Sequence, residues 1–122
     1  MIRLWGGGHY ELDYFYELCD RLGLMIWHDF MFANTLYPID QEFLDNVIAE
    51  VTENVKRVRN HPSVVFWCGN NEIYQGYREW GWSGRPSSTW VRYEQIFKKS
   101  IPEILGSEDP DKSYIHSSPM GM

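Results

Sequence analysis

Residues 64–72 read Val64-Val65-Phe66-Trp67-Cys68-Gly69-Asn70-Asn71-Glu72, five apolar residues without a break followed by an amide pair and a carboxylate. So short an apolar run, bounded by His61-Pro62 on one side and a glycine on the other, predicts a strand buried on both faces, as in parallel sheets covered by helices. Residues 24–29, Leu24-Met25-Ile26-Trp27-His28-Asp29, repeat the pattern. Both runs turn polar at their C-terminal ends, so the chemistry collects along one edge of the sheet.

Helices alternate with these strands. The chain opens with a short strand, Ile2-Arg3-Leu4-Trp5, and a turn at Gly6-Gly7-Gly8. Leu12, Phe15, Cys19 and Leu22 recur at helical spacing between residues 10 and 22, with Gly23 placed to end that helix. Asp40 is placed to cap a second helix, whose stripe is Leu44, Ile48, Val51, Val55 and Val58, and His61-Pro62 stops it. A loop rich in Gly, Tyr and Trp follows Glu72. Ser87 or Ser88 then caps a helix carrying Trp90, Tyr93, Phe97 and Ile101, with Pro102 perturbing its last turn. A turn at Asp109-Pro110-Asp111 leads to a last strand at Tyr114-Ile115-His116, and residues 117–122 read as the middle of a loop, as if cut from something longer.

Apolar strands alternating with amphipathic helices predict an α/β fold with a parallel sheet and right-handed crossovers. Two architectures fit. A doubly wound sheet closes at this length, whereas a (β/α)-barrel needs ~250 residues, so the pattern alone favours the former. The three consecutive glycines lack the G-x-G-x-x-G arrangement of a phosphate loop, and polar residues at the ends of three strands suit the barrel, whose sites lie on that rim.

Composition narrows the partners. Seventeen Asp and Glu against eleven Lys and Arg, with no basic run, argue against nucleic acid and anionic membranes. No apolar run approaches the ~20 residues that span a bilayer. Six tryptophans and eight tyrosines suit the stacking of sugar rings, and equally the filling of a core. The two cysteines, Cys19 and Cys68, read as buried thiols, and His9, His28, His61 and His116 show no metal-ligand spacing, so neither metal nor cofactor is expected. Nothing in the sequence points to a compartment.

Glu72, directly after an apolar strand, is the leading catalytic candidate. Burial at such a position disfavours the carboxylate, the condition for a general acid. The competing reading is a carboxylate that merely favours the N-terminus of the following segment. Asn71 has a competing reading as a turn asparagine. Asp29 reads as a salt-bridge or capping residue, not a catalytic one.

Trp5-Gly6-Gly7-Gly8 with Tyr10-Glu11, Phe15-Tyr16-Glu17-Leu18-Cys19-Asp20, Asp29-Phe30-Met31-Phe32-Ala33, Tyr37-Pro38, His61-Pro62-Ser63 and Gly69-Asn70-Asn71-Glu72 together resemble the β-mannosidase branch of glycoside hydrolase family 2. The resemblance runs over essentially all of residues 1–122. It implies a fragment of a catalytic TIM barrel, a partial (β/α)8 barrel of roughly strands 2 to 5 with the intervening helices. It implies Glu72 as the acid/base of a retaining glycosidase releasing terminal β-linked mannose, and Asn71 as the partner of the sugar 2-hydroxyl. Trp5 resembles an apolar wall of the mannose subsite and Trp80 a second lining residue, a role for which Trp82 competes.

The nucleophile implied by the resemblance is a glutamate at the end of the seventh strand, outside this chain, so the fragment alone should be inactive. Its implied partners are a β-mannoside and the remainder of the full-length glycosidase. A half barrel also exposes two sheet edges and its inner face, which predicts self-association of the isolated chain. Rival readings are another family 2 specificity, such as β-galactosidase, β-glucuronidase or exo-glucosaminidase, and a non-catalytic carbohydrate-binding domain.

Overall fold

A computed structural model of the chain describes residues 1–120. Its elements are β1 (Ile2–Leu4), α1 (Asp13–Leu22), β2 (Ile26–Asp29), α2 (Gln41–Val58), β3 (Val64–Cys68), α3 (Ile73–Glu79), α4 (Ser87–Tyr93), α5 (Ile101–Glu108) and β4 (Ser113–Ile115). A 3-10 turn, Trp82–Gly84, separates α3 from α4, and a π-helical stretch, Glu94–Ser100, runs α4 directly into α5.

All four strands are parallel and lie in the order β1-β2-β3-β4. Crossovers between parallel strands are right-handed as a rule, so three crossovers stepping the same way put their helices on one face of the sheet. A doubly wound sheet reverses direction at a switch point, and this one has no reversal. The chain is therefore an arc of a (β/α)-barrel, which overturns the preference that length alone suggested.

Local chemistry accounts for most element boundaries. Gly23 ends α1 at φ 66°, a left-handed conformation open to glycine, and its N–H and that of Leu24 donate to the carbonyls of Asp20 and Cys19. Asp40 caps α2, its Oδ1 accepting from Phe43 N at 2.8 Å. Helix α1 begins at Asp13, later than residue 10, and Leu12 and Leu22 are exposed, so the packed face is Tyr16 and Cys19. Strand β2 also starts late: Leu24 still belongs to the helix-ending turn, and Leu24 and Met25 are exposed. On α2 the buried stripe takes Val47 in place of Ile48.

Four features of the second half depart from the sequence reading. The segment after Glu72 begins with α3, which Gly76 and the surrounding aromatics obscure in the sequence. Neither Ser87 nor Ser88 caps α4; Pro86 occupies the cap position without a side-chain bond. Pro102 has no N–H, and its ring cannot follow an ordinary turn; the π-helical stretch directly before it widens the helix, with Ile101 N bonding back to Ile96 O. Strand β4 ends at Ile115, one residue short of His116. Residues 117–120 lie outside helix and strand, and Gly121 and Met122 of the predicted loop fall outside the described residues.

Trp67 anchors the layer between sheet and helices. It is fully buried, stacks on Phe30 at 4.9 Å and donates from Nε1 to Asp109 Oδ2 at 2.8 Å, so the indole leaves no donor unpaired. Beside it, His28 is fully buried. Its Nδ1 faces the Asp29 carbonyl at 2.8 Å and its Nε2 faces Tyr16 Oη at 2.8 Å, which fits a neutral ring carrying its proton on Nδ1. Burial pushes the His28 pKa down from 6.5 to about 4.

Candidate active site

The parallel pairing continues past the ends of the strands and builds the rim. Asn71 N donates to Phe32 O at 2.9 Å and Asn34 N to Asn71 O at 3.0 Å, while Glu72 N donates to Ser118 O at 2.9 Å and Ser118 N to Asn70 O at 3.0 Å. The loops after β2, β3 and β4 are thus stitched together on either side of Asn71.

The two asparagines divide the work. Asn70 is fully buried; its Oδ1 accepts from Ile73 N and Ser117 Oγ, and its Nδ2 donates to His116 O, so it serves the backbone. The turn role weighed for Asn71 belongs to Asn70. Asn71 points along the rim, its Oδ1 accepting from Arg3 Nη2 at 3.1 Å and its Nδ2 donating to Asn34 Oδ1 at 3.0 Å.

Glu72 adopts φ 63°, a left-handed conformation unfavourable for a side chain of its size. It stands at the start of α3 but forms no side-chain cap bond. Glu72 is half-buried as a residue, and its carboxylate instead accepts from Asn34 Nδ2 in an exposed contact; Asn34 is itself left-handed at φ 50°.

Asp29 is the buried anchor of the rim. Arg3 grips it with two bonds, Nε to Oδ1 at 3.3 Å and Nη2 to Oδ2 at 2.8 Å, and Trp27 Nε1 and Gly6 N add bonds at 2.7 and 3.0 Å. The salt-bridge reading of Asp29 describes this geometry. Gly6 is needed for the close approach: a Cβ there would lie 2.5 Å from Phe32 O. Next to Asp29, burial pushes the Cys68 thiol up to about 12, with the carboxylate adding to the effect, so Cys68 stays protonated.

Trp5 leaves β1 with its ring folded over Gly7 and is 51% exposed. Trp5 directly follows β1 and Glu72 lies in the loop after β3, and the two strands stand two spacings, about 10 Å, apart in the sheet. Trp80 follows α3 and is 43% exposed, whereas Trp82 packs its ring on Gly76 and edge-on against Tyr77 at 6.1 Å. Of the competing pair, Trp80 keeps the more open face.

Residues 7–80 match the family described as "Glycosyl hydrolases family 2, TIM barrel domain". The chain belongs to glycosyl hydrolase family 2. It is 48% identical over 122 residues to the β-mannosidase of Rattus norvegicus and 40% identical over 130 residues to β-mannosidase B of Thermothelomyces thermophilus, matches that cover 97% and 99% of this chain. The crystal structure of the β-D-mannosidase from Dictyoglomus thermophilum superposes with a TM-score of 0.88 at 48% identity over 98% of the chain. A Bacteroides uniformis β-glucuronidase superposes at 0.69 with 23% identity, a likeness of fold alone. The chain spans 14% of the length of the rat protein, 15% of the fungal one and 14% of the D. thermophilum chain.

Within this family 2 arc, sequence reasoning passed over two rim residues. Arg3 is a cation inside an otherwise apolar strand, a signal that it faces a buried partner. Asn34 lies in an unremarkable loop, and its tolerance of positive φ was the available hint.

Proposed function

We propose that this chain is part of the catalytic barrel of a longer retaining β-mannosidase, with Glu72 as its general acid/base. The observation that carries the proposal is the placement of Glu72. A half-buried glutamate sits after the exit of β3 in a strained backbone conformation, its carboxylate bonded to Asn34 on the rim instead of capping its helix. Strain of this kind persists where the surrounding structure enforces a functional geometry.

In the first step the Glu72 carboxyl gives its proton to the glycosidic oxygen as the bond from that oxygen to C1 breaks. A second carboxylate, outside these residues, bonds to C1. In the second step Glu72 takes a proton from the water that attacks C1, and the nucleophile departs as a carboxylate. Asn71 commits one Nδ2 hydrogen to Asn34, which leaves the other for a sugar hydroxyl. Trp5 and Trp80 offer open aromatic faces to the sugar ring. Identities of 40–48% to proteins named β-mannosidase, against 23% to a β-glucuronidase, support mannose as the sugar.

The test is hydrolysis of para-nitrophenyl β-mannoside by the full-length protein beside the galactoside, glucoside and glucuronide. Preference for the mannoside supports the proposal; preference for another sugar overturns its specificity.

A further inference from the structure

We infer that Asn34 is a positioning residue for the acid/base, the last link of a one-way hydrogen-bond relay that confines the transferable proton to Glu72 Oε1. The inference rests on the reading of Glu72 given above.

The direction of the relay follows from donor chemistry. A guanidinium only donates, so the Asn71 atom 3.1 Å from Arg3 Nη2 is its carbonyl oxygen. The Asn71 amide nitrogen then faces Asn34 and donates to Asn34 Oδ1 at 3.0 Å. This leaves Asn34 Nδ2, a pure donor, against Glu72 Oε2. The orientation of both amides follows from Arg3, which can only donate.

Backbone contacts hold the relay in place. Asn34 N donates to Asn71 O at 3.0 Å, and Ala33 N donates to Tyr37 Oη at 2.9 Å. Asparagine also suits the left-handed backbone that Asn34 adopts at φ 50°.

A donor on Oε2 marks that oxygen as the carbonyl-like acceptor and disfavours a proton on it. The acid form of Glu72 therefore carries its proton on Oε1 and releases it from Oε1 to the departing alcohol oxygen; Oε1 later takes the proton from the attacking water.

The test compares Asn34→Gly, which keeps the backbone free to hold positive φ, with wild type in the full-length protein. For an alkyl β-mannoside, whose departure needs the acid, kcat/KM should fall about 10- to 100-fold, the worth of one hydrogen bond to a charged group. For 2,4-dinitrophenyl β-mannoside, which leaves unaided, it should hold within about threefold, because no proton transfer is needed. Asn34→Asp, isosteric with wild type, serves if Asn34→Gly does not fold. Equal losses on both substrates, or no loss at all, overturn the inference. Glu72→Gln separates the two claims: if it cripples alkyl mannoside hydrolysis while Asn34→Gly changes nothing, only the relay fails; if Glu72→Gln has no effect, the acid/base reading fails with it.

Discussion

Arg3 Nη2 donates to Asp29 Oδ2 at 2.8 Å and to Asn71 Oδ1 at 3.1 Å, so one side chain on β1 joins the exits of β2 and β3. The fold and the site meet in this contact. The bond to Asp29 compensates a fully buried carboxylate, and the bond to Asn71 sets the orientation of the rim amides.

Arg3→Ala leaves Asp29 without its counter-charge. Loss of one partner from a fully buried pair costs about 3–5 kcal/mol. The Arg3 side chain is 33% exposed, so water partly screens it, and the expected loss is on the order of 2 kcal/mol in urea unfolding of the full-length protein. Arg3→Lys should recover less than half of it, because an ammonium cannot reproduce the fork.

His28 makes the domain acid-sensitive. Its folded pKa of about 4 lies below the value of 6.5 for the unfolded chain, so between those values the unfolded state binds the extra proton. The stability this group contributes is complete above pH 6.5 and is lost as pH falls towards 4, a change on the order of 3 kcal/mol. Thermal unfolding of the full-length protein across that window should show a shallower decline for His28→Gln than for wild type.

Glu72→Gly should be at least as stable as wild type while losing activity. Relief of a left-handed non-glycine residue is worth about 1–2 kcal/mol, and the added freedom of the unfolded chain takes back about 0.5–1. Calorimetry is expected to give a net gain of up to about 1.5 kcal/mol, and a clear loss would show that the backbone there is unstrained.

The isolated 122-residue chain should self-associate. Among the described residues the outer edges of β1 and β4 have no neighbour in the sheet, and the aromatic pair Trp27 and Phe66, 4.6 Å apart, is only half-buried. Light scattering should give a mass above 14.5 kDa; a folded monomer would contradict this.

The strands and helix ends were legible where local chemistry decides them. Val64-Val65-Phe66-Trp67-Cys68 is a strand by its apolar run, Gly23 ends a helix by its left-handed backbone, and Asp40 starts one by its carboxylate. Helix α3 was hidden because Gly76 and Trp82 matter as a packed pair, a relation that spacing does not express. Glu72, Asn71, Trp5 and Trp80 stood out by position after strands and by family resemblance. Arg3 and Asn34 did not, since their meaning lies in partners 26 to 68 positions away.

Turnover of para-nitrophenyl β-mannoside by the full-length protein and its Glu72→Gln variant, followed with para-nitrophenyl and alkyl leaving groups, tests the central claim most directly. The account predicts that Glu72→Gln lowers alkyl mannoside hydrolysis by about 100-fold or more, with a smaller loss of the first step for the activated aryl substrate. Wild-type rates on the alkyl substrate would contradict it.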